Sequence, residues 1–200
     1  MKHIFHLVRH GQKKSVMGDP ELTDEGKAQA TLTAHYFSKV HKIHKVFTSP
    51  LLRTKQTAEI IASKITVPVT ETPLLKERAN WGENPQQSFD EFLAMWSMAS
   101  SNRDWQPPVG DSSKEAGIRL QQALQLASTD DISEVVLVTH GGIIVDFLRN
   151  MFSDEELDKK ITMFSQIFEN IIPECSVTTV EYEDGNVNVT RIAYTDHLKK

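Results

Sequence analysis

A single cysteine, Cys175, in 200 residues excludes an intrachain disulfide and any cysteine-built zinc site. Its setting, Ile172-Pro173-Glu174-Cys175-Ser176, just ahead of a β-patterned run, fits a buried structural thiol. Basic excess is lacking too. Lys+Arg 22 against Asp+Glu 27 leaves a formal net charge of −5, the opposite of the basic face expected of a general nucleic-acid binder. No apolar run approaches membrane-spanning length. The first residues lack the apolar segment and small-residue cleavage site of a signal peptide, so the expectation is a cytoplasmic chain with neither membrane nor nucleic-acid partners. There is no internal repeat, no low-complexity tract, and no Walker or dinucleotide glycine spacing. Length alone predicts one domain over residues 1–200 with an ordinary core, and nothing in the chain dictates an oligomeric state.

What is present is an alternation of β and α patterns. Residues 4–8 read as a strand. Thr23 is placed to N-cap a helix reaching about Val40, with Asp24 and Glu25 in its first turn where the helix dipole favours anions. Residues 45–48 read as a second strand, followed by Ser49 and Pro50 as an expected N-cap and first helical position. That helix ends before Pro68, and residues 67–70 form a weaker strand. A helix starts at Ser112 or Ser113. Residues 135–139 are a continuous β-branched run typical of a central parallel strand, leading through His140-Gly141-Gly142 into a helix over 143–151. Asp184-Gly185 between two alternating runs predicts a hairpin. Alternating β and α predicts an α/β fold with a largely parallel sheet and helices on both faces. Residues 78–110 break the pattern and hold all three tryptophans, Trp81, Trp96 and Trp105. They read as an insertion capping the sheet's ligand edge, with most of its aromatics packed as core.

In such sheets ligands bind at the carboxyl ends of the strands. Arg9-His10-Gly11, Ser49 with Arg53, and Thr139-His140-Gly141 each follow a predicted strand, so three distant stretches converge on one edge. Taken singly, an Arg-His-Gly or Thr-His-Gly-Gly tripeptide is more often a packed turn. Together they assemble two histidines, two arginines and, from Leu75-Lys76-Glu77-Arg78, a carboxylate. Arginine forks suit phosphate oxygens. A histidine can attack phosphorus only with one ring nitrogen unprotonated, and neighbouring cations favour that state. The outcome of such an attack is a phosphohistidine that water cleaves, and a carboxylate can protonate the leaving alkoxide and then activate the water. The remaining histidines, His3, His6, His35, His41, His44 and His197, read as surface or packing residues. His41 and His44 suggest exposure rather than metal binding. Lys13 and Lys14 read as a solvated pair, or as a contact to a second anionic group.

With these residues in view, the chain resembles the histidine phosphatase superfamily, also called phosphoglycerate mutase-like. The resemblance rests on Leu7-Val8-Arg9-His10-Gly11-Gln12, on residues 22–30 (Leu-Thr-Asp-Glu-Gly-Lys-Ala-Gln-Ala), on residues 49–58 (Ser-Pro-Leu-Leu-Arg-Thr-Lys-Gln-Thr-Ala), on Leu75-Lys76-Glu77-Arg78, and on Val138-Thr139-His140-Gly141-Gly142. It implies a three-layer α/β/α sandwich and His10 as the phosphorylated nucleophile. It implies Glu77 as general acid and base, and a phosphate pocket of Arg9, Arg53 and His140, with Gln12 and Gly141 beside it on the substrate. It also implies chemistry that uses no metal and no cofactor, on a small-molecule phosphomonoester.

The departures favour hydrolysis. The family's mutases carry Glu-Ser after Arg-His-Gly and then an Asn; here Gln12-Lys13-Lys14-Ser15-Val16 stands there. The mutases' Gly-Trp segment is replaced by Met17-Gly18-Asp19-Pro20-Glu21, and there is little room for an insertion enclosing a bisphosphate. An open site admits water. The expectation is therefore a phosphatase; phosphoglycerate mutase-type transfer and non-catalytic phospho-ligand binding are the alternatives. Gly110-Asp111-Ser112 resembles a segment of the family's phosphatases, which raises the question of whether Asp111 or Ser112 reaches the site. Glu83 is the rival carboxylate to Glu77.

Overall fold

The computed structural model describes residues 2–128, 133–161 and 171–199. Among them a six-stranded sheet runs in the order β3-β2-β4-β1-β5-β6, built from β1 (Lys2–Arg9), β2 (Lys45–Thr48), β3 (Val69–Glu71), β4 (Glu134–Thr139), β5 (Val177–Glu183) and β6 (Asn186–Tyr194). The first four are mutually parallel. β5 runs antiparallel to β1, and β6 antiparallel to β5. The Asp184-Gly185 turn closes that last hairpin with both residues at positive φ, 50° and 84°, as a tight primed turn requires.

The period of two along the strands sorts side chains to two faces. Val8, Val46, Val136 and Val138 pack with Ala34, Phe37, Ala58 and Ile61, residues of α1 (Asp24–Val40) and α2 (Leu52–Ile65). Phe5, Leu7, Phe47 and Leu137 pack with Leu120, Leu124 and Phe147, from α4 (Ser113–Ala127) and α5 (Gly141–Met151). The result is a three-layer α/β/α sandwich with β1 and β4 at its centre. Among the described residues no helix is long and apolar enough to cross a membrane.

Three readings of the sequence need correction. Ser49 does not cap α2: Leu51 holds the N-cap position without a side-chain hydrogen bond, and the Asp19 carboxylate instead accepts the Leu52 amide at 2.8 Å. The aromatics of 78–110 are not core. Trp81, Trp96 and Trp105 are only half-buried and Phe89 is 49% exposed, because α3 (Phe89–Ser101) sinks only Met95 and Ala99. His41 and His44 are partly buried rather than solvent-exposed. A short helix α6 (Asp154–Lys160), opened by a capping box at Ser153, had no counterpart in the apolar periodicity.

Buried polar residues tie α3 to the body. The Arg78 guanidinium bonds both Asp146 oxygens at 3.0 and 3.2 Å and lies 3.8 Å from the Trp96 ring centre. Burial pushes the Asp146 carboxyl up to about 6 against the pull of Arg78. Arg78→Met leaves that carboxylate unpaired, which costs about 3–5 kcal/mol at neutral pH. The loss shrinks toward pH 5, where Asp146 protonates. Thermal unfolding of the variant at pH 7.5 and pH 5 measures both; an equal loss at the two pH values contradicts the pairing argument.

Candidate active site

β1, β2 and β4 end side by side, and the residue after each end turns inward: His10, Ser49 and His140, all nearly or fully buried. The turn at His10 rests on backbone contact. A Cβ on Gly11 would lie 2.4 Å from the Gly26 carbonyl, and one on Gly26 would lie 2.1 Å from the Gln12 carbonyl. Both positions therefore need glycine. Thr23 caps α1 by accepting the Gly26 amide and donates to the Gln12 side-chain carbonyl at 2.8 Å. Thr57 accepts the Gly11 amide at 3.1 Å and donates to the Arg53 carbonyl at 2.8 Å. The Leu-Thr-x-x-Gly and Arg-Thr-x-x-Thr patterns are thus the clamps that hold the histidine turn.

The His10 ring is oriented by its carbonyl neighbour. Nδ1 lies 2.7 Å from the Gly11 oxygen; a carbonyl only accepts, so the proton sits on Nδ1 and the lone pair on Nε2. Arg53 Nε lies 3.3 Å from that Nε2. Burial first, then the Arg53 and Arg9 guanidinium groups, holds the His10 imidazole well below the ordinary histidine value. His140 crosses it edge-on with ring centres 5.2 Å apart, and burial followed by Arg53 depresses it likewise. Ser49 Oγ lies 2.9 Å from His140 Nε2, which explains why Ser49 is not a helix cap. Two buried polar atoms here have no hydrogen-bond partner among the described residues, Arg53 Nη1 and His140 Nδ1.

Glu77 sits at the mouth of the helix that follows His140. Its carboxylate accepts the amides of Gly142 at 3.0 Å, Ile143 at 2.8 Å and Arg78 at 3.0 Å, at the N-terminal end of α5 where the dipole favours an anion. A Cβ at Gly142 would lie 2.6 Å from Trp96 and 2.7 Å from Glu77, so the tryptophan and the carboxylate flank one glycine. The rival Glu83 pairs with Lys76 at 3.3 Å and accepts the Asn80 amide at 3.3 Å.

Arg9 is anchored by the segment before β5. It donates to the Ile172 carbonyl at 2.6 Å and to Glu174 at 2.8 Å, and Gly141 packs against its side chain, a Cβ there falling 3.2 Å from Arg9 Cδ. Cys175 is buried with its thiol pushed up to about 12, the structural thiol expected. Its amide donates to the Arg9 carbonyl at 3.0 Å. Gln12 is exposed and engaged with Thr23 and Gln29. Asp111 pairs with Arg119 at 2.6 Å and Ser112 caps α4, so the Gly-Asp-Ser segment is structural. Lys14 pairs with Glu21. Lys13 is half-buried, its ammonium lowered by burial and by Arg53 and Arg9.

Other contributors carried no sequence signal. Asn80 accepts from Arg53 at 3.2 Å and donates to the Gly18 carbonyl at 2.7 Å. Arg119 donates to the carbonyls of Leu74 and Lys76 at 3.0 and 2.7 Å, bracing the strand-to-loop path that delivers Glu77. Neither residue belongs to a recognisable spacing.

The fold and the relatives agree on a class. A broad-specificity phosphatase of Saccharomyces cerevisiae is 29% identical over 96% of this chain and 86% of its own length. A probable phosphoglycerate mutase of Serratia proteamaculans is 33% identical over 68% of each chain. Among solved structures, a mycobacterial glucosyl-3-phosphoglycerate phosphatase superposes with a TM-score of 0.74 at 19% identity, covering 98% of this chain and all of that one. The class is a phosphatase with the α/β sandwich of that group. The model of the histidine phosphatase superfamily (branch 1) matches residues 5–195, and the chain belongs to that family.

Proposed function

We propose that the protein hydrolyses a small phosphorylated metabolite through a phosphohistidine on His10, without a metal in the chemistry. The observation that carries this reading is the pair of buried polar atoms without a hydrogen bond, Arg53 Nη1 (3.8 Å from the Asp19 carboxylate) and His140 Nδ1, beside a histidine whose unprotonated nitrogen is Nε2, facing Arg53. A phosphoryl group facing Nε2 brings oxygens to those atoms, and its charge is met by Arg53 and Arg9. The Nε2 lone pair forms the N–P bond as the P–O bond to the leaving group breaks. Glu77 gives the alkoxide its proton. Water then attacks phosphorus, Glu77 takes the water proton, the N–P bond breaks, and phosphate leaves. We place residues 78–110 as the cap of this site within one domain spanning 1–200; the contact of Trp96 with Gly142 and Glu77 supports that placement. The loop over 13–22 supports hydrolysis over mutase transfer, because nothing in it supplies the mutases' phosphate-contacting Asn.

The test is a panel of phosphomonoesters that includes phosphoserine and 3-phosphoglycerate, with chelator present, following phosphate release and isomer formation together. Phosphate release with an acid-labile phosphoryl-enzyme on rapid quench is the expected result. Isomer formation without release overturns the hydrolase in favour of a mutase; tight phosphate binding without turnover overturns both.

Two further results are expected. Arg53→Ala raises KM and lowers kcat together, because Arg53 meets the phosphoryl oxygens in both ground and transition states; an unchanged profile removes it from the pocket. In NMR titration the His10 ring titrates below the ordinary histidine value. In Arg53→Ala its titration moves upward yet remains below the ordinary value, since burial is the larger cause. A wild-type ring that titrates near 6.5 contradicts the buried-nucleophile geometry.

A further inference from the structure

Away from the catalytic edge, three more ligand-type side chains converge. His6 lies on β1, fully buried; His41 is the C-cap of α1; Glu134 opens β4. The donor atoms of all three lie within 4.8 Å of one another. His6 Nε2 is 2.9 Å from Glu134 Oε1, and His41 Nδ1 bonds the same oxygen. The two rings meet edge to face with centres 4.4 Å apart. His6 sits four residues before His10, about 13 Å along an extended strand, and faces α1.

We propose that His6, His41 and Glu134 form a binding site for a divalent cation of the zinc type. Two imidazoles and a carboxylate are a common zinc donor set, and a tetrahedral ion needs its ligand atoms only about 3.3 Å apart. Reaching that value takes small side-chain rotations that widen the N···O separations, 2.9 Å at His6, with every donor atom already within 4.8 Å of the others. Solvent at the edge of Glu134, whose side chain is 15% exposed, supplies the fourth ligand.

The outer contacts fit the same role. The far nitrogen of His6 is 3.3 Å from the Thr179 hydroxyl, and that of His41 is 3.1 Å from the Tyr36 hydroxyl. A hydroxyl can donate or accept. Without an ion, each ring donates to Glu134 and accepts from its hydroxyl. With an ion, each ring shifts its proton to the far nitrogen, donates to the hydroxyl, and turns its lone pair to the metal. Metal-bound histidines are held by such outer acceptors. The second Glu134 oxygen is held by the Lys42 amide at 3.2 Å, and Arg191 donates to the Tyr36 hydroxyl at 3.3 Å. No step of the hydrolysis uses this site, which ties the end of α1 to β1 and β4. The sequence directed attention to His41 with His44; the structure pairs His41 with His6 instead.

The test is titration of the untagged, chelator-stripped full chain with Zn2+ by calorimetry, and with Co2+ by visible absorption, on five proteins. The wild type is expected to take one ion per chain at this site, with the intense visible bands of a four-coordinate Co2+. Glu134→Gln, whose amide oxygen still accepts from both imidazoles while the Lys42 amide bond is lost, and His41→Asn at the partly exposed cap are expected to weaken binding at least 100-fold with unchanged circular dichroism. Tyr36→Phe weakens it about 10-fold. His10→Ala retains it, which separates this site from the catalytic histidines. Binding unaltered in Glu134→Gln and His41→Asn, binding lost in His10→Ala, or no stoichiometric binding in the wild type each overturns the proposal. Failure of the hydrolysis reading leaves it untouched, because phosphate release is not the readout.

Discussion

His10→Ala loses phosphate release by about 10⁴-fold or more, the scale on which removal of a covalent nucleophile acts in other hydrolases. No other group can accept the phosphoryl in its place. His140 has a free ring nitrogen, but its centre is 5.2 Å from that of His10, and a phosphate seated for one ring is out of line for the other. The variant keeps Arg9, Arg53 and His140, so a phosphate or substrate still binds, and the loss falls on kcat rather than on affinity. Rapid-quench labelling shows no acid-labile phosphoryl-enzyme in the variant. A variant that retains the label, or that turns over within tenfold of wild type, places the nucleophile elsewhere.

Glu77→Gln has the second large effect, and it depends on the leaving group. An alkoxide must be protonated as it departs, so alkyl phosphates slow by roughly 10²–10⁴-fold. A nitrophenolate leaves without help, so aryl phosphates slow much less. Glutamine keeps one carbonyl oxygen for the Ile143 and Arg78 amides but turns an NH2 toward the Gly142 amide, so an unchanged KM is the check that the loss is proton transfer rather than misplacement. Equal slowing of both substrate types refutes the acid role. With the aryl substrate, dephosphorylation becomes the slow step because the same carboxylate activates water, and phosphoryl-enzyme accumulates in a burst.

Much of this architecture was legible before any coordinates. The parallel strands and the helices between them follow from period and caps: Thr23, Ser112 and the β-branched run at 135–139 each fell where a local rule put them. The meeting of His10, Ser49, Arg53 and His140 at one edge followed from where the strands end. What escaped was set by long-range geometry. Ser49 obeys the local rule for a helix start, yet a histidine 91 residues away takes its hydroxyl. Asn80, Arg119 and Glu174 act on Arg53, the Glu77 loop and Arg9 through contacts that no spacing announces. The tryptophans of 78–110 looked like core because composition reports apolarity, not whether enough body lies beneath to bury it. His6 and His41 had no shared pattern at all, since a strand, a helix end and a second strand bring them together with Glu134.

The position of β1 sets an order of assembly. The strand that carries His10 is made before both of its neighbours in the sheet, β4 and β5, which begin at Glu134 and Val177. A nascent chain holds one edge of that strand unpaired until β4 has been made and the other until β5 follows. Pairings so distant in sequence close late and slowly, and an unpaired apolar strand is a template for association in the meantime. Synthesis halted before residue 177 therefore yields a chain that holds His10, Arg53, Glu77 and His140 but lacks the β5 partner of the strand that carries His10.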